Sequence, residues 1–210
     1  MACPFCSRSA VYAQGYSAQE RTIGETETFF ILPTLGCLVV NYLLIVPKKH
    51  LSCFGQLSAE QFLELAYIEK KIRDINEREF GSPTILFEHG TSIIGTLFGN
   101  SIEHAHLHIL PYKNDFLTEI AYRGFKLKTI NSITHLPEVV KQAQTYLYYS
   151  PPSRDSFVVL DEEVPSQFFR TILSKSIGLA DEWNWRNHIH EINIEKTMLF
   201  YKEGLSFAAR

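Results

Sequence analysis

His104-Ala105-His106-Leu107-His108-Ile109-Leu110 is the stretch on which the reading of this chain turns. Its histidines and apolar residues alternate strictly, which predicts a β-strand over 104–110 stopped by Pro111. Successive side chains of a strand point to opposite faces. The three imidazoles then share one face, and Ala105, Leu107 and Ile109 turn into a core. A single metal ion cannot take all three rings. Positions i and i+4 of a strand lie about 13 Å apart, whereas a zinc–nitrogen bond is about 2 Å. Two neighbours can share an ion, so at least one ring is left for chemistry. A neutral imidazole is nucleophilic toward phosphorus and also leaves readily. A histidine beside it can pass a proton to the departing group, a step worth about 10²–10⁴-fold in rate.

Working outward, residues 26–33 read as a strand ended by Pro33, and residues 37–46 as an apolar central strand opening into Pro47-Lys48-Lys49-His50. Phe62, Leu65, Ile68, Ile72 and Ile75 recur at spacings of three and four, which predicts a helix to about Glu79. Ser58 and Gln61 have capping-box spacing at its start, and Gly81-Ser82-Pro83 closes it. Residues 84–88 read as a further strand, followed by a glycine-punctuated loop to Gly99. Beyond 114 the pattern changes to helices over 137–148, 166–178 and 191–202, with a short strand at 157–160 after Pro151-Pro152.

The bulk properties exclude several classes. The 210 residues carry a net charge of −3, too acidic for overall charge to draw the chain onto nucleic acid. No stretch approaches the ~20 apolar residues of a membrane span, and the first residues lack the basic and apolar regions of a secretory signal. The expected address is the cytoplasm, where Cys3, Cys6, Cys37 and Cys53 stay free thiols. Cys37 and Cys53 lie in apolar surroundings and read as small buried hydrophobes.

The pattern His–apolar–His–apolar–His followed by two apolar residues resembles the signature of the histidine-triad superfamily. The resemblance implies an α+β fold, an antiparallel sheet with a packed helix, over residues 1–113. Residues 114–210 are then a mainly helical C-terminal extension, packed on or beside that domain, as in longer bacterial members. Family members form a covalent nucleotidyl intermediate on the middle histidine, here His106. His108 then assists departure of the leaving group. Gly99-Asn100-Ser101 matches a small residue, an amide and a hydroxyl that bind substrate phosphate in the family. Residues 41–50 resemble the second family segment, although Asn41-Tyr42 replaces its usual Gly-His pair. Phe87-Glu88-His89-Gly90 resembles a bacterial variant, with a carboxylate where better-known branches carry an amide.

Cys3-Pro4-Phe5-Cys6 resembles the N-terminal Cys-x-x-Cys of many bacterial members. The resemblance implies a structural zinc ion held by Cys3, Cys6, His50 and His104. A nucleotide hydrolase follows as the expected activity, acting on a dinucleoside polyphosphate, a phosphoramidate or an adenylated adduct. The alternatives are a nucleotidyltransferase or phosphorylase, and a non-catalytic nucleotide-binding protein. A zinc hydrolase using His106 and His108 as ligands is a third class. The aromatics and arginines clustered after position 165 point either to packing over the active-site face or to a dimer contact, so a homodimer is one expectation. Arg170 and Arg186, among clustered aromatics, read as surface salt-bridge formers, and His188 and His190 have no assigned role.

Overall fold

Ser58 and Gln61 do form the reciprocal capping box that the sequence predicts, and the helix they start runs to Phe80. It is one of sixteen α-helices and strands in the computed structural model, which describes residues 3–9, 11–12, 16–91, 102–160 and 164–202. The first half comprises β1 (Val11–Tyr12), β2 (Tyr16–Ser17), α1 (Ala18–Arg21), β3 (Gly24–Glu25), β4 (Phe29–Pro33), β5 (Leu43–Pro47), α2 (Ala59–Phe80), β6 (Thr84–Thr91) and β7 (Leu107–Pro111). The second comprises α3 (Leu117–Tyr122), β8 (Lys128–Ile130), α4 (Leu136–Val139), β9 (Thr145–Ser150), β10 (Ser156–Val159), α5 (Phe168–Ser176) and α6 (Glu191–Lys202). Strands β3 to β10 form one antiparallel sheet in the order β3-β4-β5-β7-β6-β9-β10-β8. The fold is α+β.

The two faces of the sheet have different tasks. Ala105, Leu107 and Ile109 join Leu43, Ile45 and Leu86 under α2, whose Phe62, Leu65, Ile68, Ile72 and Ile75 are all buried there. Each such side chain contributes roughly 1.5–3 kcal/mol by leaving water. On the opposite face Ile85, Phe87, Leu110, Leu147 and Tyr149 pack against Phe168, Phe169 and Leu173 of α5 and Ile194 of α6. Farther along this face Leu44, Phe30 and Leu32 are covered by Phe5 and Ala18 from the N-terminal segment.

Three elements differ from expectation. The strand of the central histidines begins only at Leu107, because the Ala105 amide is spent on the Leu51 carbonyl, 2.7 Å away, rather than on a neighbouring strand. The apolar run from Cys37 does not pair until Leu43, since Asn41 takes a left-handed conformation at φ +64° and turns the chain. The helix predicted over 137–148 is a single turn, α4, followed by β9. Thr-Tyr-Leu-Tyr-Tyr-Ser is rich in strand-forming residues, and pairing with both β6 and β10 buries all six of them. Residues 114–210 thus supply helices α3 to α6 and, besides them, three strands of the sheet that carries the histidines.

Ile68 is fully buried between α2 and the sheet. Ile68→Ala is expected to destabilise the fold by about 2–5 kcal/mol in urea denaturation. A loss below about 1 kcal/mol would show that α2 does not carry this core.

Candidate active site

β7 lies between β5 and β6, with His108 opposite Leu44 on one side and Phe87 on the other. This register turns His108 to the face opposite α2. Its ring stacks on Phe87 at 4.5 Å between centroids, and its Nδ1 is 2.9 Å from the Tyr42 hydroxyl. Tyr42 therefore has a task that its departure from the Gly-His pair concealed: it orients the last histidine. Asn41 beside it adopts the left-handed conformation that glycine takes without penalty and asparagine tolerates.

His106 sits just before the strand, its ring 5.1 Å from that of His108. Its Nδ1 is 2.7 Å from the His104 carbonyl. A carbonyl only accepts, so Nδ1 carries the hydrogen and Nε2 keeps its lone pair. Burial lowers the pKa of His106, and the Arg170 guanidinium lowers it further, against the hydrogen bond that the ring donates to the His104 carbonyl. Burial likewise holds His108 well below the usual imidazole range, aided by His106 and Arg170. Both rings are neutral near pH 7.

His106 and His108 line a cavity of about 880 Å³, open solvent included, between the N-terminal segment and α5. One wall is Pro4, Phe5, Tyr16 and Arg21, and the other is Gln167, Phe168, Phe169, Arg170 and Trp185. The aromatic groups after position 165 thus cover the site rather than lying apart from it. The expectation that Arg170 is a surface residue is corrected: it is 4% exposed, with Nε donating to the Trp183 carbonyl and an Nη donating to Gly36. Those two carbonyls lock the side chain against the cavity. Arg186 is exposed, its guanidinium over the Trp185 ring. Gly99, Asn100 and Ser101 lie outside the described residues.

The Phe87-Glu88-His89-Gly90 segment divides its labour by alternation along β6. Phe87 and His89 face the cavity. Glu88 points to the other side and is 1% exposed. There it accepts from the Phe54 amide at 2.8 Å and the Tyr146 hydroxyl at 2.7 Å. Gly90 has no side chain because the Tyr146 ring crosses it: a Cβ there would sit 2.3 Å from that ring. Glu88 therefore contacts no ligand in the cavity, and burial pushes its carboxyl up to about 7 despite the two hydrogen bonds.

His104 is diverted from the other two histidines. Its Nε2 donates to the Pro47 carbonyl at 2.8 Å, which leaves Nδ1 as an acceptor 3.3 Å from Cys3 Sγ and 3.6 Å from Cys6 Sγ. His50 Nδ1 is 3.2 Å from Cys6 Sγ, and the four ligand atoms of Cys3, Cys6, His50 and His104 lie within 4.8 Å of one another. Ligands of a tetrahedral zinc site are about 3.6 Å apart, so these residues can hold a metal ion. Within the same loop Phe5 packs its ring edge on His104 and lies 5.8 Å from the His106 ring. The thiol–imidazole cluster thus places one wall of the cavity.

No family model matches the chain. It is 28% identical over 178 residues to the zinc finger CCCH domain-containing protein 64 of Arabidopsis thaliana, covering 77% of this chain and 28% of that protein. It is 30% identical over 88 residues to a bis(5'-adenosyl)-triphosphatase of Dictyostelium discoideum, covering 42% of this chain and 57% of that one. The chain therefore spans well under two thirds of the length of either relative. Among solved structures it is similar to the yeast Ap4A phosphorylase Apa2, at 12% identity and a TM-score of 0.49, over 76% of this chain and 65% of that one. A hypothetical protein from Leishmania major is similar at 16% identity and a TM-score of 0.41, over 67% and 97% of the two chains. No helix among the described residues is long and apolar enough to cross a membrane.

Two outcomes follow. Cys6→Ser should lose any bound divalent metal and several degrees of Tm together, read by elemental analysis and thermal melting; wild-type protein free of metal after expression with zinc would contradict the cluster's role. Glu88 has its pKa raised on folding, so the stability it contributes is present below about pH 4.5 and lost as pH rises through about 7, on the order of 3 kcal/mol. The neutral histidines act in the opposite sense, but equally in a Glu88→Gln variant. The stability of Glu88→Gln relative to wild type should therefore climb between about pH 4.5 and 7, and a flat difference would contradict this.

Proposed function

We propose that this chain is a histidine-triad nucleotide hydrolase in which His106 Nε2 is the nucleophile. The observation that carries this is the hydrogen bond from His106 Nδ1 to the His104 carbonyl, which leaves Nε2 unprotonated in a ring that lines the cavity. Its lone pair bonds to the α-phosphorus of a nucleoside 5′-phosphate derivative. The bond to the leaving group breaks, and that group departs as an anion with the electron pair. With the Tyr42 hydroxyl donating to His108 Nδ1, the His108 hydrogen sits on Nε2 and donates a hydrogen bond to the departing oxygen. Water then attacks the same phosphorus, the N–P bond breaks, and a nucleoside monophosphate leaves.

The triphosphatase name of the Dictyostelium relative supports a dinucleoside polyphosphate as substrate, with a phosphoramidate or an adenylated adduct as further classes. Gly99, Asn100 and Ser101, close before the triad in sequence, are proposed to bind the attacked phosphate. Cys3, Cys6, His50 and His104 are proposed to hold zinc. A closed Cys₂His₂ set has no free coordination position, so the ion would supply structure rather than activate water. The proposal includes a cytoplasmic address, since a reducing compartment keeps Cys3 and Cys6 available as metal-binding thiolates.

Mixing the enzyme with a dinucleoside polyphosphate labelled at the α-phosphate, followed by rapid quenching, should leave acid-labile label on wild type and none on His106→Ala. Turnover should fall by on the order of 10³-fold or more in that variant. Label retained without His106 would overturn the nucleophile assignment. Nucleoside monophosphate as product supports transfer to water, and nucleoside diphosphate formed in added phosphate would make the enzyme a phosphorylase.

A further inference from the structure

Among the described residues, two arginines on the cavity wall have no carboxylate partner. Arg21 ends α1 and Arg170 lies in the first turn of α5, each only 4% exposed. A buried cation without a partner is costly and is usually found paired or facing a ligand of opposite charge. Both side chains are nonetheless held in place. Arg170 donates through Nε to Trp183 and through one Nη to Gly36, at 2.9 and 2.7 Å. Arg21 donates through an Nη to the Pro33 carbonyl. Carbonyls fix the side chains without cancelling their charge.

Each then keeps an unused donor. Arg170 Nη1 and Arg21 Nε meet no hydrogen-bond acceptor among the described residues, although the Arg170 guanidinium also lies 5.6 Å from the Tyr42 ring and interacts with that tyrosine. Both guanidinium groups lie close enough to the buried Cys37 thiol to act on it as cations. The backbone accommodates the arrangement. Gly36 has φ +65°, and a Cβ there would fall 2.4 Å from Arg170 Nη2 and 2.7 Å from Trp185 Cβ, so a side chain would expel both. Helix α5 adds its amino-terminal end, with Gln167 to Arg170 all on the cavity wall. Gln167 Oε1 is also unpartnered, and rotation of that amide presents either an acceptor or two donors.

We infer that Arg21 and Arg170 form a second anion subsite of this cavity, which takes a phosphate other than the one attacked by His106. The ligand class is then a compound with two or more phosphate groups, and a phosphoramidate or monophosphate ester fills only half of the anionic positions. The inference rests on the nucleotidyl-histidine reading only for the identity of the first phosphate. The guanidinium pair comes from opposite ends of the chain, so the C-terminal half is a builder of specificity and not a cover alone. Planar guanidinium groups match phosphate oxygens in pairs, which a lysine does not reproduce.

Calorimetric titration of the full chain with inorganic tripolyphosphate and with orthophosphate tests this directly. Wild type should bind tripolyphosphate, and Arg170→Gln and Arg21→Gln should each weaken it about 10-fold or more. Tripolyphosphate binding about 10-fold tighter than orthophosphate identifies a contiguous phosphate chain as the occupant; equal binding of both, still lost in the arginine variants, identifies a free phosphate. Wild-type melting gives a readout that needs no variant: saturating tripolyphosphate should raise Tm, and no rise overturns the subsite. Affinity unchanged in both variants also overturns it. Label trapping on His106 is separate. Trapping absent with arginine-dependent polyphosphate binding retires the nucleotidyl reading alone, and trapping present with arginine-independent binding retires the subsite alone.

Discussion

The register of β7 between β5 and β6 is the constraint from which the site follows. Main-chain pairing on both sides sets His108 opposite Leu44 and Phe87, and with it the direction of every side chain from Leu107 to Leu110. A slip of one residue would exchange faces, burying the imidazole under α2 and exposing Leu107 and Ile109. The register is held because both of those residues are fully buried against the helix. Core packing on one side of the sheet therefore aims the chemistry on the other. Glu88 and Phe87 obey the same rule one strand away, the carboxylate turned inward and the aromatic ring supporting His108.

The cavity on the second face is made by segments distant in sequence. Phe5, held in the loop between two cysteines, meets the His104 and His106 rings from one side. Arg170 and its aromatic neighbours close the other side. Because His104 turns to the thiols while His106 and His108 line the cavity, three histidines separated by single residues face two surroundings, and the proposed function gives them three ends: structure, attack and leaving-group assistance. Loss of the thiol–imidazole cluster would loosen a wall of the site as well as the N-terminal segment.

Much of this was legible in the sequence, for a physical reason. Alternation of His with Ala, Leu and Ile states the two environments outright, and α2 announces itself by its cap at Ser58 and its apolar spacing. Cys3, Cys6, His50 and His104, the set that the resemblance implies, come within reach of one another and could hold a metal. The strand itself was overextended, because alternation describes where side chains go and not where the backbone finds partners; Ala105 bonds to Leu51 instead. β9 was read as helix because Tyr146, Leu147, Tyr148 and Tyr149 are apolar on both faces, a pattern that buried strands and buried helices share. Arg170 was read as a surface residue because charge usually means exposure, and only the fold brings Gly36 and Trp183 to its donors. Tyr42 was missed for a similar reason: its hydroxyl acquires meaning only beside His108, 66 residues away.

The central claim is that the fold presents His106 as a neutral ring with its hydrogen on Nδ1 and a lone pair on Nε2. Long-range ¹H–¹⁵N correlation on protein labelled at histidine nitrogen, assigned by a His106→Gln variant, reads this tautomer directly. Near neutral pH the His106 signals should show a protonated Nδ1 and an unprotonated Nε2. A ring protonated on both nitrogens, or hydrogen found on Nε2, would contradict the account.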